Sequence, residues 1–247
     1  MLSRIARVRE QERLYHEHCF EENRLFQKGS WLEEPTEIVL QYAEEVTKAA
    51  EASGSGPLYF LDLGSGVGRN SIPLADMLKN SEGGQVVCVD LLEKALDQLS
   101  EYSEAYQVAD YIKAEQADIS DYPIPARQYN YIVAASSLEH VRSEELLDRV
   151  LSRMREGTAA GGINCIVMHT SIAEYEARTG EKRETFFEVT MDPDAALAKL
   201  RQCYAGWEEL HAKMEPQELE INRGDTPVIL KATSLTYVVQ RPGNKTG

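Results

Sequence analysis

A short apolar segment followed at once by three alternating glycines constrains the fold of this chain most. In FLDLGSGVGRN, the segment Phe60 to Leu63 has the composition of a buried strand, and Gly64, Gly66 and Gly68 follow it before a helical pattern begins near Asn70. Glycine tolerates unusual backbone dihedral angles and lets a ligand approach without meeting a Cβ atom. The pattern therefore predicts a strand, a ligand-binding turn and a helix of an α/β protein.

Further apolar segments alternate with helical patterns along the chain. The candidate strands are 58–64, 85–90, 111–118, 129–136, 163–170, 207–214 and 229–240. Strands separated by helices favour a mainly parallel sheet with right-handed crossovers. No clear helix separates the last two strands, so residues 215–228 are predicted to be a hairpin-like connection and the last strand to be antiparallel. We expect a doubly wound, mainly parallel seven-stranded sheet of the Rossmann-like type.

Two helical patterns precede the first strand. Apolar residues recur at helical spacing among the charges of Arg4 to Asn23, and a second amphipathic pattern starts at Pro35. The chain is thus divided into an N-terminal helical extension, residues 1–52, and a sheet domain, residues 53–247. The aromatic residues of the extension, including Tyr15 and Trp31, indicate a lid over a substrate. The alternative is a helix that is docked for stability.

Composition narrows the possible functions. The formal net charge of -15 is unfavourable for binding a phosphate backbone, so we expect no nucleic-acid partner. No apolar segment approaches the ~20 residues that a membrane span needs, and the charged N-terminus lacks the apolar core of a secretory leader. The four cysteines have no metal-binding spacing and read as reduced thiols. These features predict a soluble, cytoplasmic protein.

The glycine loop and Asp90, the acid at the end of the next strand, indicate which class of cofactor the chain binds. Arg69 stands where a dinucleotide fingerprint has its third glycine, and no GK[ST] sequence follows as in a phosphate-binding loop, which favours a ligand without pyrophosphate. Asp90 ends the second strand, where a carboxylate can accept hydrogen bonds from both ribose hydroxyls. This acid can instead cap the helix that follows. Together with the glycine loop, it favours a nucleoside.

At this point the sequence resembles the class I S-adenosylmethionine-dependent methyltransferases, from about Leu58 to the last strand. The resemblance rests on LDLGSGVG, VVCVD, AEQADIS and YNYIVAASSLEHV. The segments RNSIPLA, GSWL, WEEL, INRG and KATSLTYVVQR are similar to the tellurite-resistance-type small-molecule methyltransferases, whereas SLEHV resembles the quinone and other small-molecule methyltransferases. The cofactor implied is S-adenosylmethionine, with S-adenosylhomocysteine as product.

The resemblance also assigns roles to single residues. It places Asp62 near the methionine portion of the cofactor, Asp90 on the ribose, Asp118 on the adenine amino group, and Leu91 and Ile119 on the two faces of the ring. Asp118 can instead stabilise a turn before Tyr122. The candidate cofactor-binding residues are Asp62, Gly64, Ser65, Gly66, Gly68, Arg69, Asn70, Asp90, Leu91, Asp118, Ile119 and Ser136.

Residues after the fourth and fifth strands should face the methyl acceptor, because ligands of open α/β sheets lie beyond the carboxyl ends of the strands. His140 is the first catalytic candidate, Glu139 the second and His169 the third. Each also has a purely local explanation, as a hydrogen-bonded histidine or as an acid in the first turn of a helix. Arg178 lies in a polar segment, 173–187, that we interpret as a mobile cover. Arg178 is a candidate for binding an anionic part of the substrate, and the alternative is that it belongs to a solvated surface.

The sequence thus predicts an enzyme that transfers a methyl group from S-adenosylmethionine to a small-molecule acceptor. The alternatives are a protein methyltransferase and a non-catalytic, cofactor-binding regulatory module. No HxH, HExxH or carboxylate motif indicates a metal ion, so none is predicted.

Overall fold

One sheet dominates the computed structural model, which describes residues 4–81, 83–224 and 226–243. Its strand order is β3-β2-β1-β4-β5-β8-β7, with a short strand, β6, paired to β5. The strands are β1 Leu58–Leu63, β2 Gly84–Asp90, β3 Ile112–Gln116, β4 Tyr129–Ala135, β5 Thr158–Glu176, β6 Lys182–Arg183, β7 Glu208–Arg223 and β8 Thr226–Gln240. The five strands from β3 to β5 in this order are parallel, and β8 runs antiparallel to β5.

Helices cover both faces of this sheet. They are α1 Arg4–Glu22, α2 Glu37–Ser53, α3 Ser71–Lys79, α4 Glu93–Ala105, α5 Glu144–Gly157 and α6 Pro193–Cys203. Side chains of α2, α3 and α4 share one apolar core with Phe60 of β1, whereas α5 and α6 share the other with Leu61 and Leu63. Successive residues of a strand point to opposite faces, so one short apolar strand supplies both cores. The predicted doubly wound, mainly parallel sheet with an antiparallel last strand is confirmed.

The far end of the sheet differs from the prediction. The sheet of the described residues has eight strands rather than seven, because β6 adds a two-residue strand beside β5. The predicted connection 215–228 is wrong in extent, since β7 continues to Arg223 and β8 starts at Thr226. Segment 173–187, interpreted as a cover, contains the end of β5 and all of β6. A small apolar cluster stabilises this outer part and is formed by Ile172, Phe187, Leu230 and Ala232.

The predicted N-terminal helices are present, and α1 lies across the carboxyl edge of the sheet. Val8 and Phe20 of α1 are buried, and so is the charged Glu12. Residues 1–3, at the start of the predicted extension 1–52, lie outside the described residues. The same holds for residues 244–247, at the end of the predicted sheet domain 53–247. Among the helices that the structure describes, none has both the length and the apolar character needed to span a membrane.

Candidate functional site

The glycine loop turns the chain sharply between β1 and α3. Gly64 has φ of +79°, and a Cβ atom built on it would lie 2.4 Å from Cβ of Ser137. Ser137 follows β4 and donates a 2.7 Å hydrogen bond to the carbonyl oxygen of Leu63. Gly64 is therefore required for β1 and β4 to end side by side, because any side chain there would collide with the neighbouring turn.

Asp90, at the end of the neighbouring strand β2, is hydrogen-bonded to the second glycine of the loop, Gly66. Its carboxylate accepts hydrogen bonds from the backbone N–H groups of Gly66, at 2.8 Å, and Leu92, at 2.9 Å. Gly66 has φ of +53°, and the direction of its missing Cβ leads to the ring of Phe20, 3.5 Å away. The side of Gly66 that lacks a Cβ atom thus faces the ring of Phe20 on α1.

Asp62 is buried at the end of β1, directly below the loop. It accepts a 2.6 Å hydrogen bond from Oγ of Ser71 at the start of α3. Burial raises the pKa of Asp62 to about 6, although the Ser71 hydrogen bond acts in the opposite direction. Nearby, Oγ of Ser65 is buried without a hydrogen-bond partner among the described residues. Two polar groups under the loop are thus poorly compensated by the protein itself.

Arg69 and Asn70 hold the N-terminal extension. Arg69 donates hydrogen bonds to the carbonyl oxygen of Trp31, at 3.0 Å, and to Oγ1 of Thr36, at 3.2 Å. Its guanidinium lies 5.5 Å from the centre of the Trp31 ring. Oδ1 of Asn70 accepts a 2.9 Å hydrogen bond from the Thr36 N–H. These two residues, predicted to bind a cofactor, therefore also attach the segment between α1 and α2 to the glycine loop.

A surface hollow of about 350 Å³ lies beside the end of β2. Leu91, which is 45% exposed, lines this hollow together with Gln116 and with Arg13 of α1. Asp118 follows β3 and forms a 2.8 Å ion pair with Arg9 of α1. The predicted adenine-side residues Leu91, Asp118 and the half-buried Ile119 are thus near the carboxyl ends of β2 and β3, where α1 contacts them.

His140 lies in the turn after β4, in contact with buried carboxylates. Its Nδ1 is 3.3 Å from Oε2 of Glu188, and its Nε2 is 3.9 Å from Oε2 of Glu12. Burial opposes protonation of His140, but the Glu188 hydrogen bond and the charges of Glu12 and Glu139 outweigh it and raise the pKa to about 9. The Phe187 ring stacks on the imidazole at 5.0 Å.

Glu139 and His169 form a buried pair between β4 and β5. Oε1 of Glu139 is 2.7 Å from Nδ1 of His169, and Nε2 of His169 is 2.7 Å from Oε1 of Gln217 on β7. Burial alone would raise the pKa of Glu139, but the hydrogen bond and charge of His169 lower it. Burial alone would lower the pKa of His169, but the hydrogen bond and charge of Glu139 raise it. Both ring nitrogens of His169 therefore have protein partners.

The remaining candidate residues lie in different parts of the structure. Tyr15 packs under Arg223, whose guanidinium lies 4.9 Å from its ring centre, and Trp31 is exposed. Ser136 follows β4 with φ of +55°, and its N–H donates to the carbonyl oxygen of Val167. Arg178 is exposed in the turn after β5, and no contact among the described residues connects it to the other candidates.

The sequence analysis did not identify several polar residues that lie beneath or beside α1. They are Glu12, His16, Glu174, Glu188, Gln217 and Arg223. One signal was present in α1, where Glu12 and His16 continue the inward stripe of Val8 and Phe20 at helical spacing. A charged residue on the buried stripe of a helix indicates a polar site beneath it.

Comparison with known proteins agrees with this geometry. Residues 60–162 match a family model described as a methyltransferase domain. TehB from Haemophilus influenzae is 24% identical with a TM-score of 0.57, and the match covers 80% of this chain and 62% of TehB. A S-adenosylmethionine-dependent methyltransferase from Methanosarcina mazei is 15% identical with a TM-score of 0.59, covering 85% and 100% of the two chains.

A third similar structure contains ligands. It is the 1,6-didemethyltoxoflavin-N1-methyltransferase of Burkholderia thailandensis with bound 1,6-didemethyltoxoflavin and S-adenosylhomocysteine, 14% identical with a TM-score of 0.55, covering 98% of this chain and 92% of that one. No curated protein matches the chain by sequence. The match to a methyltransferase domain covers residues 60–162, and the similar structures, all below 25% identity, share the fold of this chain. The S-adenosylhomocysteine in the Burkholderia thailandensis structure is the demethylated form of the cofactor S-adenosylmethionine.

The residues present fit this cofactor. A carboxylate stands at the end of β2, Gly66 presents backbone without a side chain towards α1, and the hydroxyl of Ser65 is buried without a partner among the residues described. Asp62 is a buried acid whose raised pKa marks a charge that a nearby cation would stabilise. These are the features that a nucleoside joined to a cationic amino acid requires.

Proposed function

We propose that this protein transfers the methyl group of S-adenosylmethionine to a nucleophilic atom of a small molecule held beneath α1, beyond the ends of β4 and β5. The observation that supports this most is that α1 covers the carboxyl edge of the sheet. It contacts Gly66 through Phe20, Asp118 through Arg9 and Arg223 through Glu12. An acceptor under such a cover has to be small, whereas a folded protein or a nucleic acid needs an open edge.

The cofactor supplies an activated methyl group on a sulfonium, so much of the rate enhancement comes from correct placement of the two reactants. Asp90, Gly66 and Asp62 are the residues that we expect to hold the cofactor. On the acceptor side, Glu139, His169 and His140 are joined to other protein groups rather than open to solvent. We therefore assign them to orienting the acceptor and fixing the wall against which it lies.

The similar structures support a small acceptor. The Burkholderia thailandensis protein, which matches 98% of this chain, contains bound 1,6-didemethyltoxoflavin and S-adenosylhomocysteine. The chain spans only 62% of the length of TehB, so that protein's activity supports the fold rather than the acceptor. We also propose that the helical extension, residues 1–52, acts as the lid of the domain formed by residues 53–247.

The test is a screen with methyl-labelled S-adenosylmethionine against fractionated metabolite pools and against protein and RNA fractions. Labelled small products that disappear in the Asp90→Ala variant would support the proposal. Label in protein alone would identify a protein methyltransferase. S-adenosylhomocysteine binding without any labelled product would favour a regulatory module. Either of the last two results would overturn the small-molecule assignment.

A further inference from the structure

Three side chains of the types that bind metal ions meet where α1 crosses the end of β4. Glu12 and His16 lie one helical turn apart on α1, and His140 lies in the turn after β4. Oε2 of Glu12 is 3.5 Å from Nε2 of His16 and 3.9 Å from Nε2 of His140. All three ligand atoms lie within 4.8 Å of one another. The three atoms are thus close enough to reach one ion placed between them.

These separations are close to those of a metal centre. Zinc bonds to imidazole nitrogen and carboxylate oxygen are about 2.0–2.1 Å long, so neighbouring ligand atoms in a tetrahedral site lie roughly 3.3 Å apart. The observed 3.5 Å and 3.9 Å need only a small contraction. Glu12 is held by its ion pair with Arg223, so the contraction would be made by rotation of the half-buried His16 side chain.

The surroundings of His140 add a second, independent feature. A histidine that binds a metal through one ring nitrogen usually has its other ring nitrogen hydrogen-bonded to a carboxylate, which fixes the orientation of the ring. Here Nε2 of His140 faces Glu12, while Nδ1 lies 3.3 Å from Glu188, whose side chain is 2% exposed. Glu188 is in turn held by Arg9 at 3.4 Å.

The charges around the cluster also favour a cation. Besides Glu12 itself, the buried carboxylates of Glu139 and Glu188 lie near His140. The arginines in contact with them are Arg9 and Arg223, and Arg9 is shared with Asp118. These carboxylates stabilise a positive charge beside the imidazole of His140, and a divalent ion bound at Nε2 would place its charge there.

We propose that Glu12, His16 and His140 bind one divalent transition-metal ion of the zinc class. Two imidazoles and one carboxylate suit zinc and its neighbours, whereas magnesium and calcium prefer ligand sets of oxygen atoms. Because two ligands come from α1 and one from the sheet domain, the ion joins the cover to the core. Three protein ligands leave a fourth position of a tetrahedral ion for water or for a donor atom of the acceptor. The proposal does not depend on which acceptor is methylated.

The test measures metal binding directly. Chelator-treated full-length protein is dialysed against zinc chloride, and bound zinc is measured by mass spectrometry of the metal. We expect one zinc per chain, and an affinity at least about tenfold weaker in His16→Gln, which removes a ligand from the half-buried part of α1. The matched control is His18→Gln, since His18 lies on the same helix with an exposed side chain. Magnesium chloride at the same concentration should not compete.

A second variant and the absorption spectrum of bound cobalt test whether the metal binds at the proposed ligands. Glu188→Gln removes the carboxylate behind His140, and we expect it to weaken zinc binding by about tenfold while circular dichroism shows an intact fold. Cobalt chloride should give the visible absorption of a tetrahedral site without a thiolate charge-transfer band. Equal zinc binding by the His16→Gln and His18→Gln variants, binding below one ion in ten chains, or a thiolate band would each overturn the proposal.

Discussion

Arg223 of β7 and Glu12 of α1 form an ion pair of 2.7 Å between Nη1 and Oε1, with side chains only 6% and 8% exposed. The same guanidinium contacts both carboxylate oxygens of Glu174 on β5, at 2.6 Å and 3.3 Å. One cation therefore compensates two buried anions from different parts of the fold. This arrangement connects α1, the main sheet and the terminal hairpin.

Replacement of Arg223 by alanine should strongly destabilise the protein, because Glu12 and Glu174 would remain buried without their counterion. We expect the free energy of unfolding to fall by about 3–5 kcal/mol, measured by urea denaturation. The control is Arg201→Ala, which removes an exposed ion pair with Glu209 and should have little effect. Equal effects of the two substitutions would show that the buried network contributes no special stability.

Substitution of Gly66 by valine should weaken S-adenosylhomocysteine binding by at least about tenfold, because a side chain at this positive φ would stand between the loop backbone and the ring of Phe20. Gly56→Val is the matched control. Gly56 has φ of +75°, and no heavy atom lies within 4 Å of the position of its missing Cβ. Calorimetry should show a loss of affinity in the first variant only. Similar affinities in two folded variants would contradict the placement of the cofactor at this loop.

Cofactor affinity should fall in acid because of Asp62. Burial raises its pKa to about 6, and we expect its ionised form to face the ammonium of the methionine portion. Below pH 6 the carboxyl is protonated in the free protein, so S-adenosylhomocysteine affinity should drop by about tenfold per pH unit. The groups that face Asp62 are Arg69, Ser71, Cys88, Asp90, Tyr131 and Cys165.

The Asp62→Asn variant separates this effect from the titration of Asp90. Its affinity should be lower at pH 7 and should change much less between pH 7 and pH 5. Isothermal titration calorimetry at several pH values provides the comparison. An unchanged acid dependence in the variant would assign the titration to another group.

Glu139 and His169 should behave as one energetic unit. In a double-mutant cycle of Glu139→Gln and His169→Gln, we expect a coupling in the free energy of unfolding of about 1–3 kcal/mol, because the pair is buried and hydrogen-bonded. A parallel cycle on Glu218 and Lys231, an exposed pair on the hairpin, should show no measurable coupling. Additive effects at Glu139 and His169 would mean that their contact contributes nothing beyond packing.

Short sequence patterns predicted the features that depend on neighbouring residues. They did not predict the features that depend on contacts between distant parts of the chain. The glycine loop, Asp90 and the strand ends follow from local patterns, and the structure confirms the sheet that they imply. The full length of β7 was missed because its outer half is polar and contains Pro216. Such a sequence resembles a loop, yet an edge strand tolerates it because it pairs on one side only.

The acceptor side was harder to predict for a different physical reason. Glu12 and His16 have the composition of a solvated helix surface, and only the packing of α1 against His140 and Arg223 buries them. A sequence pattern of period 3.6 identifies a helix but does not say which partner covers it. The pairing of Glu139 with His169 likewise depends on β4 and β5 being neighbours in the sheet.

The ion pair between Glu12 and Arg223 also has a consequence for the order of folding. A ribosome releases the chain from its N-terminus, and residues fold as they emerge. Glu12 therefore leaves the ribosome long before Arg223, which is about two hundred residues further along the chain. During that interval Glu12 lacks its arginine partner, so α1 lacks one of the contacts that hold it on the sheet. The contacts of α1 are complete only after the last hairpin has been synthesised, so the cover that we propose for the site forms late in synthesis.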